Sequence, residues 1–203
     1  MPYTLVPLTQ EYLEPAVALF IENYTCEQEH SPLLPSRVIH EPSWIYGVLQ
    51  PKLANPGVVV LEHNHVLAYM VTGDQFLWKG QQAAIVLEYC HSAIVAKKRE
   101  LYQRMYMYLA QEWFNYHIHL HLMRHFAHDT ILQELLYQLG FGAILAERLR
   151  DCSAVDERPA VAISVEQEGH KLATLQTEHN RYYPKAPIFI QKPTDKQAVL
   201  AEL

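Results

Sequence analysis

The sequence predicts an α/β domain in which a mixed, mostly antiparallel twisted sheet is flanked by helices. Three observations carry this prediction: a strand-like opening segment followed by an amphipathic helix, two strand-like segments around a short turn, and a long helical segment between two further strand-like runs. This order places antiparallel strands early and a helix–strand–helix crossover late, which is typical of a layered domain.

The first segments predict a strand, two helices and a loop. Tyr3–Pro7 reads as a short strand that ends at the proline. Thr9 is a favourable N-cap for a helix that runs to about Tyr24, because apolar residues recur there at helical spacing. Cys26–Glu41 contains prolines and little periodicity and is predicted to be a loop, and Pro42 is suited to the start of a short second helix.

The middle of the chain predicts a hairpin and a longer strand. Asn55-Pro56-Gly57 is a turn signal. Val58–Glu62 and Val66–Thr72 are rich in β-branched and aromatic residues and flank His63-Asn64-His65, so we expect two antiparallel strands. Ala83–Val95 is predicted to be a third, uninterrupted strand.

Two helices and a final strand complete the predicted domain. Arg99–Tyr116 carries apolar residues at helical intervals and is the clearest helix of the chain. His128-Asp129 predicts the cap of a further helix through Leu139, which Gly140 ends in the usual C′ role. Ala143–Arg150 is predicted to return as a strand.

His117–Leu122 alternates between histidine and apolar residues and is predicted to be a strand. His117, His119 and His121 would then share one face. A His-x-His pair on a strand can chelate zinc. The other interpretation is that Ile118 and its apolar neighbours face the core while the histidines line a polar second face, and we favour this one.

The C-terminal quarter predicts a strand at Ala160–Val165 and a helix at Glu166–Tyr183. We therefore divide the chain into a domain of residues 1–151 and an extension of residues 152–203. The extension repeats the strand–helix order of the N-terminus, so it is either the start of a second repeat or a strand and helix docked on the first sheet. The sequence leaves both interpretations open.

Composition restricts the function class. The 203 residues carry a formal net charge of −6 with a sequence pI near 6.0, which argues against a general nucleic-acid binder. Three widely spaced cysteines indicate neither a zinc site nor a disulfide framework. With no signal-peptide pattern and no long apolar run, we expect a cytoplasmic protein without a membrane span.

The segment from residue 93 to residue 150 resembles a known superfamily. It reads AIVAKKRELYQRMYMYLAQEWFNYHIHLHLMRHFAHDTILQELLYQLGFGAILAERLR, that is, strand, basic loop, long helix with a tryptophan near its end, strand, short helix and final strand. This order, with Leu139-Gly140-Phe141-Gly142 as its most specific piece, resembles the GCN5-related N-acetyltransferases (GNAT), in particular bacterial members. The resemblance covers about residues 3–150 and implies a GNAT-like sheet flanked by helices.

The resemblance implies acetyl-CoA as co-substrate. In GNAT enzymes the pantetheine arm lies where the fourth and fifth strands separate, and the pyrophosphate rests on the following helix N-terminus. The family motif there is Q/R-x-x-G-x-G/A, whereas the matching stretch Lys97–Gln103 has no glycine and places Glu100 at the first glycine position. Asp129 matches the asparagine of the second motif. The predicted cofactor-binding residues are Ile94, Val95, Lys97, Lys98, Arg99, Glu100, Leu101, Tyr102 and Asp129.

Two residues are predicted to be catalytic. Many GNAT enzymes use a carboxylate on the fourth strand to accept the proton of the amine, and Glu88 is the acidic residue within Ala83–Val95. A family tyrosine that protonates the departing thiolate matches Leu136 here, so its neighbour Tyr137 is the candidate acid. The two side chains would point about 100° apart on a helix.

The function that follows is an acetyl-CoA-dependent N-acetyltransferase acting on an amine of a small molecule or a protein. The alternative is a degenerate GNAT-fold binding or scaffold module without catalytic activity, which the glycine-free loop favours. A metal-binding protein is a third option that depends on the strand histidines. The sequence indicates neither the acceptor nor the oligomeric state, and a homodimer is one arrangement that it permits.

Overall fold

The computed structural model describes residues 3–78, 80–147, 149, 151, 169–181, 195 and 197. Seven strands and six α-helices are assigned within these residues, and two short 3₁₀ turns cover Gln50–Ala54 and Val95–Lys97. In chain order the elements are β1 (Thr4–Pro7), α1 (Gln10–His30), α2 (Arg37–His40), α3 (Pro42–Leu49), β2 (Gly57–Glu62), β3 (His65–Val71), β4 (Asp74–Trp78), β5 (Gln81–Val86), β6 (His91–Ala93), α4 (Lys98–Asn115), β7 (Leu120–Met123), α5 (Thr130–Gln138) and α6 (Gly169–Asn180).

The chain divides into two compact units, residues 1–143 with 147–149 and residues 144–146 with 150–203. In the second unit α6 is described, and it lies within the helix that the sequence predicts at Glu166–Tyr183. Ala173 is buried, and the Thr177 hydroxyl donates a hydrogen bond to its carbonyl at 2.7 Å. The predicted strand Ala160–Val165 lies outside the described residues, so the boundary at residue 151 stays a prediction.

The first unit has a mixed α/β architecture, as the sequence predicts. One sheet has the order β1-β2-β3-β6 and is antiparallel throughout. A second has the order β4-β5-β7, in which β4 and β5 are antiparallel and β5 and β7 are parallel. The predicted hairpin is confirmed, because His63 and Asn64 adopt positive φ angles of 51° and 65° at the turn between β2 and β3.

The predicted single strand Ala83–Val95 is wrong, since the chain breaks it into β5 and β6. The residues between them, Leu87–Cys90, form a turn in which the Cys90 N–H donates to the Leu87 carbonyl at 2.8 Å. β5 pairs with β4 and β7, whereas β6 pairs with β3. β4 was not predicted from the sequence.

The β3–β4 segment and the β5–β6 segment pair with each other, and both are interrupted at the same place. The Val71 N–H donates to the Cys90 carbonyl at 2.9 Å and the Gly73 N–H donates to the Ile85 carbonyl at 2.8 Å, so Thr72 alone lies opposite four residues. Gly73 permits this approach: a Cβ built there would lie 3.0 Å from Leu87 Cγ and 3.1 Å from the Ile85 carbonyl oxygen. We name this irregularity of residues 72–73 and 87–90 the sheet break.

The Asn55 side chain stabilises the sheet break by hydrogen bonds to the backbone. Its Nδ2 donates to the carbonyls of Thr72 and Gly73, at 2.9 and 3.0 Å, where β3 becomes β4. The Asn55-Pro56-Gly57 turn therefore also satisfies two carbonyls that the irregular ladder leaves unpaired.

Helix α1 is six residues longer than predicted and removes part of the expected loop. It continues from Tyr24 to His30 because Tyr24 and Glu27 lie on its buried face. The Tyr24 hydroxyl donates to the Pro35 carbonyl at 3.0 Å, which ties the remaining loop to the helix. The short helix α2 also falls in the region predicted as loop, and α3 begins at Pro42 as predicted.

Helix α4 is confirmed at Lys98–Asn115, but the strand after it begins later than predicted. His117 has a φ of 58° and ends the helix. The His117 N–H donates to the Phe114 carbonyl at 3.0 Å and the Ile118 N–H donates to the Trp113 carbonyl at 2.9 Å, which is the Schellman pattern. The prediction that three histidines share one strand is therefore wrong, since β7 starts at Leu120.

The caps of α5 agree with the prediction, and no strand is assigned in the described part of Ala143–Arg150. The Asp129 carboxylate accepts the Leu132 N–H at 3.1 Å, and Gly140 has a φ of 91° at the C-terminal end. Residues 143–147 and 149 carry no strand. Ile144 and Leu145 are 68% and 72% exposed, so the apolar residues that suggested a strand have no sheet to cover.

A buried indole connects α4 to the sheet break. The Trp113 Nε1–H donates to the Thr72 hydroxyl at 2.9 Å, and both residues are almost fully buried. Thr72→Val keeps the side-chain shape but leaves this N–H without an acceptor. We expect the free energy of unfolding to fall by about 1–3 kcal/mol in chemical denaturation.

Thr72→Ser is the matched control for this prediction. It keeps the hydroxyl and loses one buried methyl group, which costs about 1 kcal/mol. Equal losses in the two variants would show that the methyl group, and not the hydrogen bond to Trp113, stabilises this position.

Candidate functional site

The strands change partners at the carboxyl end of β5, and we name the divergence of β6 from the end of β7 the opening. The parallel ladder between β5 and β7 ends where the Arg124 N–H donates to the Val86 carbonyl at 2.9 Å. Beyond this point β6 pairs with β3, so it diverges from the residues that follow β7. In the β3–β6 ladder the backbone groups of Cys90, Ser92 and Ile94 face β3, which turns those of His91 and Ala93 toward the opening.

The His91 side chain spans the opening. Its Nε2 lies 2.7 Å from the Arg124 carbonyl oxygen, and its Nδ1 lies 2.7 Å from the Tyr102 hydroxyl on α4. Because a carbonyl can only accept, we assign the proton to Nε2, and Nδ1 then accepts from Tyr102. Burial lowers the pKa of His91 to about 4, which agrees with a neutral imidazole.

Helix α4 begins directly beyond the opening. One 3₁₀ turn separates β6 from α4; the N-cap residue Lys97 makes no side-chain cap, and the Lys98 N–H donates to the Val95 carbonyl. Between β6 and the helix start, Ile94 is partly buried and Val95 is 64% exposed. An uncapped helix N-terminus favours an anion, because its N–H groups lack intrahelical acceptors.

Three cations stand at this helix start, and each contacts an acceptor within the chain. Lys97 Nζ lies 3.3 Å from a Glu62 carboxylate oxygen. Lys98 Nζ lies 2.8 Å from the Asp129 carboxylate, and the Arg99 guanidinium donates to the Gln138 side-chain oxygen.

The acidic side chain in this turn points along the helix. The Glu100 carboxylate is bound by the Arg104 guanidinium at 2.8 Å, one turn further on. The charge of Glu100, which occupies the first glycine position of the family motif, is therefore partly balanced. Its carboxylate is not left unpaired at the helix start. Leu101 is fully buried and belongs to the core.

Glu88 lies in the sheet break and not on a strand as predicted. One of its carboxylate oxygens, Oε2, is buried and has no hydrogen-bond partner among the described residues. Burial is the main cause that raises the pKa of the adjacent Tyr89 to about 12, and the Glu88 charge acts in the same direction. A buried acceptor without a donor is costly.

The two candidate tyrosines have different surroundings. Tyr137 is 52% exposed on α5, whereas Leu136 beside it is buried. Tyr102 is 3% exposed, and burial raises the pKa of its hydroxyl well above its ordinary value. Of the predicted site residues, Lys98 and Asp129 contact each other. Tyr102 contacts His91, which was not predicted from the sequence.

A second cluster was also missed. Glu27 on α1 is 8% exposed, and its carboxylate oxygen lies 2.9 Å from His128 Nδ1 beside the cap of α5. The His30 ring stacks on His128 with centroids 5.0 Å apart. Only the position of Glu27 three residues after Tyr24, on the same helix face, could have signalled this contact.

Of the three histidines predicted to share a strand, His121 packs against aromatic side chains and the other two are exposed. His121 Nδ1 lies 3.1 Å from the Tyr106 hydroxyl and its ring lies 4.5 Å from the Trp113 ring, whereas His117 and His119 are exposed. In the part of the chain that the structure describes, no group of three or more His, Cys, Asp or Glu side chains is arranged to hold a metal ion. None of the described helices has the length and apolar character needed to cross a membrane.

Comparison with known proteins identifies the fold. No family model and no curated protein sequence matches the chain. A GCN5-related N-acetyltransferase from Ralstonia eutropha has a TM-score of 0.55 and 14% identity, over 74% of this chain and 99% of its own. A predicted acetyltransferase from Clostridium acetobutylicum, solved with acetyl-CoA, has a TM-score of 0.55 and 13% identity, over 73% and 94%. A transcriptional regulator from Bacillus halodurans has a TM-score of 0.53 and 14% identity, over 73% and 99%. This chain has the GNAT fold.

The GNAT fold explains why the opening and the helix start are neighbours. The expected separation of two strands corresponds to β6 and the end of β7, and the expected phosphate-binding helix corresponds to α4. The fold was predictable although the identity to these structures is low, because element order and caps are local properties. The identities of 13–14% show the fold alone and assign no activity.

The buried His91 makes a prediction about stability. Its pKa is about 4 in the folded chain and about 6.5 when exposed, so the folded chain binds fewer protons between these values. The free energy of unfolding should therefore fall as the pH decreases from 6.5 to 4, by up to about 3 kcal/mol from this group.

Other carboxylates titrate in the same window, so the measurement compares variants. His91→Gln retains one donor and one acceptor without a proton to bind, and should unfold with a shallower dependence on pH. His119→Gln removes an exposed histidine and should keep the wild-type slope. An unchanged slope in His91→Gln would contradict the assigned role of His91.

Proposed function

We propose that this protein is an acetyl-CoA-dependent N-acetyltransferase whose acceptor is an amine of a small molecule or a protein. The observation that carries the proposal is that α4 starts, uncapped, directly beyond an opening between two strands of a GNAT fold. Three cations stand at that start, in a chain with a net charge of −6. A basic helix start within an acidic protein supports the binding of a local anion rather than a general affinity for polyanions.

The helix start fits the phosphate end of CoA. Free N–H groups and the positive end of the helix dipole attract an anion there. Lys97 and Arg99 are exposed, so both can move to a phosphate at little cost in burial. Lys98 is the cation held inside, because Asp129 binds it.

The opening can accept the amide-containing arm of CoA after the His91 side chain has moved out of it. The backbone groups of His91 and Ala93 that face away from β3 can pair with amides of the arm. Asn23 already uses one of them, since its Nδ2 donates to the Ala93 carbonyl at 3.2 Å. His91 occupies the middle of the opening by a side chain and not by backbone pairing, so a rotamer change is enough to clear it.

Glu88 is the residue proposed to accept the proton of the amine. When bound, acetyl-CoA supplies an acetyl group activated as a thioester. The acceptor must be a neutral amine to attack it, and the unpartnered Glu88 Oε2 can hold an ammonium or amine N–H and take its proton. The position of Glu88 in the sheet break, three residues before His91, supports this assignment.

Two tyrosines are candidates for the proton donor to the departing thiolate. Tyr137 is exposed enough to reach solvent, as a residue at the mouth of a site would be. Tyr102 is the buried alternative beside His91. Positioning of the two reactants can supply much of the rate in such a transfer, so either assignment is compatible with activity.

A specific observation also favours a scaffold without activity. His91, Tyr102 and the Lys98–Asp129 pair fill the place that a cofactor would take. In that case the acceptors inside the chain would be permanent partners of the basic residues. Binding of CoA separates the two candidate functions.

We expect isothermal titration to detect binding of acetyl-CoA. The double change Lys98→Glu and Arg99→Glu should weaken binding by at least about tenfold, because two cations near the phosphates become anions. Arg37→Glu on α2, away from the helix start, is the control and should bind like the wild type. Absence of binding by the wild type at millimolar acetyl-CoA would reject the enzyme and favour the scaffold.

The role of Glu88 is tested by Glu88→Gln. The substitution keeps the shape and removes the base, so release of CoA thiol in the presence of primary amines should slow by about 10²–10⁴-fold while acetyl-CoA affinity is retained. Glu14→Gln, an exposed residue of α1, should leave the rate unchanged. A Glu88→Gln rate within twofold of the wild type would exclude Glu88 as the base.

A further inference from the structure

The Lys98–Asp129 ion pair is the best shielded contact at the helix start. We propose that Asp129 is an internal competitor for the cofactor phosphates: it holds Lys98, and CoA binds by drawing Lys98 away from it. The inference rests on the proposed function. It adds that the competition between Asp129 and the phosphates for Lys98 determines the affinity of the site for CoA. It also changes the role of Asp129, which the resemblance implied to be a direct ligand of CoA.

Burial distinguishes this pair from its neighbours. The side chains of Lys98 and Asp129 are 12% and 14% exposed, and their charged atoms are 2.8 Å apart. The Lys97–Glu62 pair is longer, at 3.3 Å, and its side chains are 41% and 26% exposed. Screening by solvent is therefore weaker for Lys98–Asp129, and its rupture costs more unless another anion replaces the carboxylate.

Asp129 is fixed in place by its second oxygen. Oδ1 accepts the Leu132 N–H at 3.1 Å as the cap of α5, while Oδ2 binds Lys98. The carboxylate thus has a structural role whether or not Lys98 is present. The mobile partner is Lys98, whose flexible stem can turn toward a phosphate at the N-terminus of its own helix.

The exchange leaves Asp129 facing an added anion. A phosphate bound at the start of α4 adds negative charge near a carboxylate that has just lost its cation. Both effects oppose binding, and both disappear if position 129 caps the helix without a charge. Asp129 therefore lowers the affinity for phosphate-bearing ligands and has no such effect on a ligand without phosphate.

Asp129→Asn tests this directly. Asparagine caps a helix as well as aspartate does, so α5 should be retained. We expect the Kd for CoA, measured by isothermal titration at low salt, to decrease by about tenfold, the equivalent of one charge-assisted hydrogen bond. Binding of pantetheine, which lacks phosphate, should be unchanged when followed by ligand-observed NMR. Glu134→Gln, an exposed carboxylate on the same helix, controls for the change in net charge.

The Lys98→Met background separates competition from direct binding. In the Lys98→Met background Asp129 still repels the phosphate but holds no lysine, so Asp129→Asn should improve CoA binding by clearly less there than in the wild-type background. A gain as large as in the wild-type background would mean that Asp129 does not act by holding Lys98, and would overturn the inference.

The outcomes distinguish this inference from the function on which it rests. If the wild type binds CoA and Asp129→Asn binds it equally or more weakly, the competitor role is wrong and the proposed function stands. If neither protein binds CoA at millimolar concentration, the proposed function fails and the inference fails with it. A gain for pantetheine equal to that for CoA would also overturn it, because the effect would not depend on phosphate.

Discussion

The sheet break is the constraint on which the candidate site depends. A straight ladder between the β3–β4 and β5–β6 segments would bring β6 alongside β7 and leave no opening. Thr72 instead faces four residues, because Gly73 allows the close approach and Asn55 binds the two carbonyls at the bend. The break lies between β5, which pairs with β7, and β6, which pairs with β3, and it contains Glu88, whose buried Oε2 has no partner among the described residues. The buried hydrogen bond from Trp113 to Thr72 ties this irregularity to the C-terminal part of α4.

Several side chains at the opening have partners among the described residues, whereas the Glu88 Oε2 has none there. Lys98 is neutralised by Asp129, and His91 uses both nitrogens. These partners are side chains on separate elements, so the contacts connect α4 to α5 and to the sheet. They stabilise the fold and occupy the site at the same time. Stability and ligand binding therefore draw on the same residues, as is common where a site is built from charged groups.

The sequence was sufficient for features that depend on neighbouring residues. The α5 cap at Asp129, the end of that helix at Gly140 and the positive-φ turn at His63-Asn64 are local, and all three were predicted. Features that depend on distant pairing were not. The break of Ala83–Val95 results from competition among β3, β4 and β7 for the same segment, and the contact of His91 with the Arg124 carbonyl leaves no pattern in the sequence. The basic residues were recognised, but their partners lie 31 to 39 positions away and only folding brings them together.

The opening is closed by side chains and not by backbone pairing. This closure is therefore only a weak argument against an enzyme. Backbone pairing between β6 and the end of β7 would have to be broken along its whole length, whereas His91 and Lys98 each need one change of rotamer. Moving both costs about 2–4 kcal/mol if each group loses part of its hydrogen bonding before the ligand replaces it. Such a cost lowers the affinity about thirty- to seven-hundredfold and leaves binding measurable for a ligand as large as CoA, because its intrinsic affinity can exceed that loss. The closed site is therefore compatible with the proposed weak binding of acetyl-CoA, and a measurement of that binding is what separates the proposed enzyme from a scaffold.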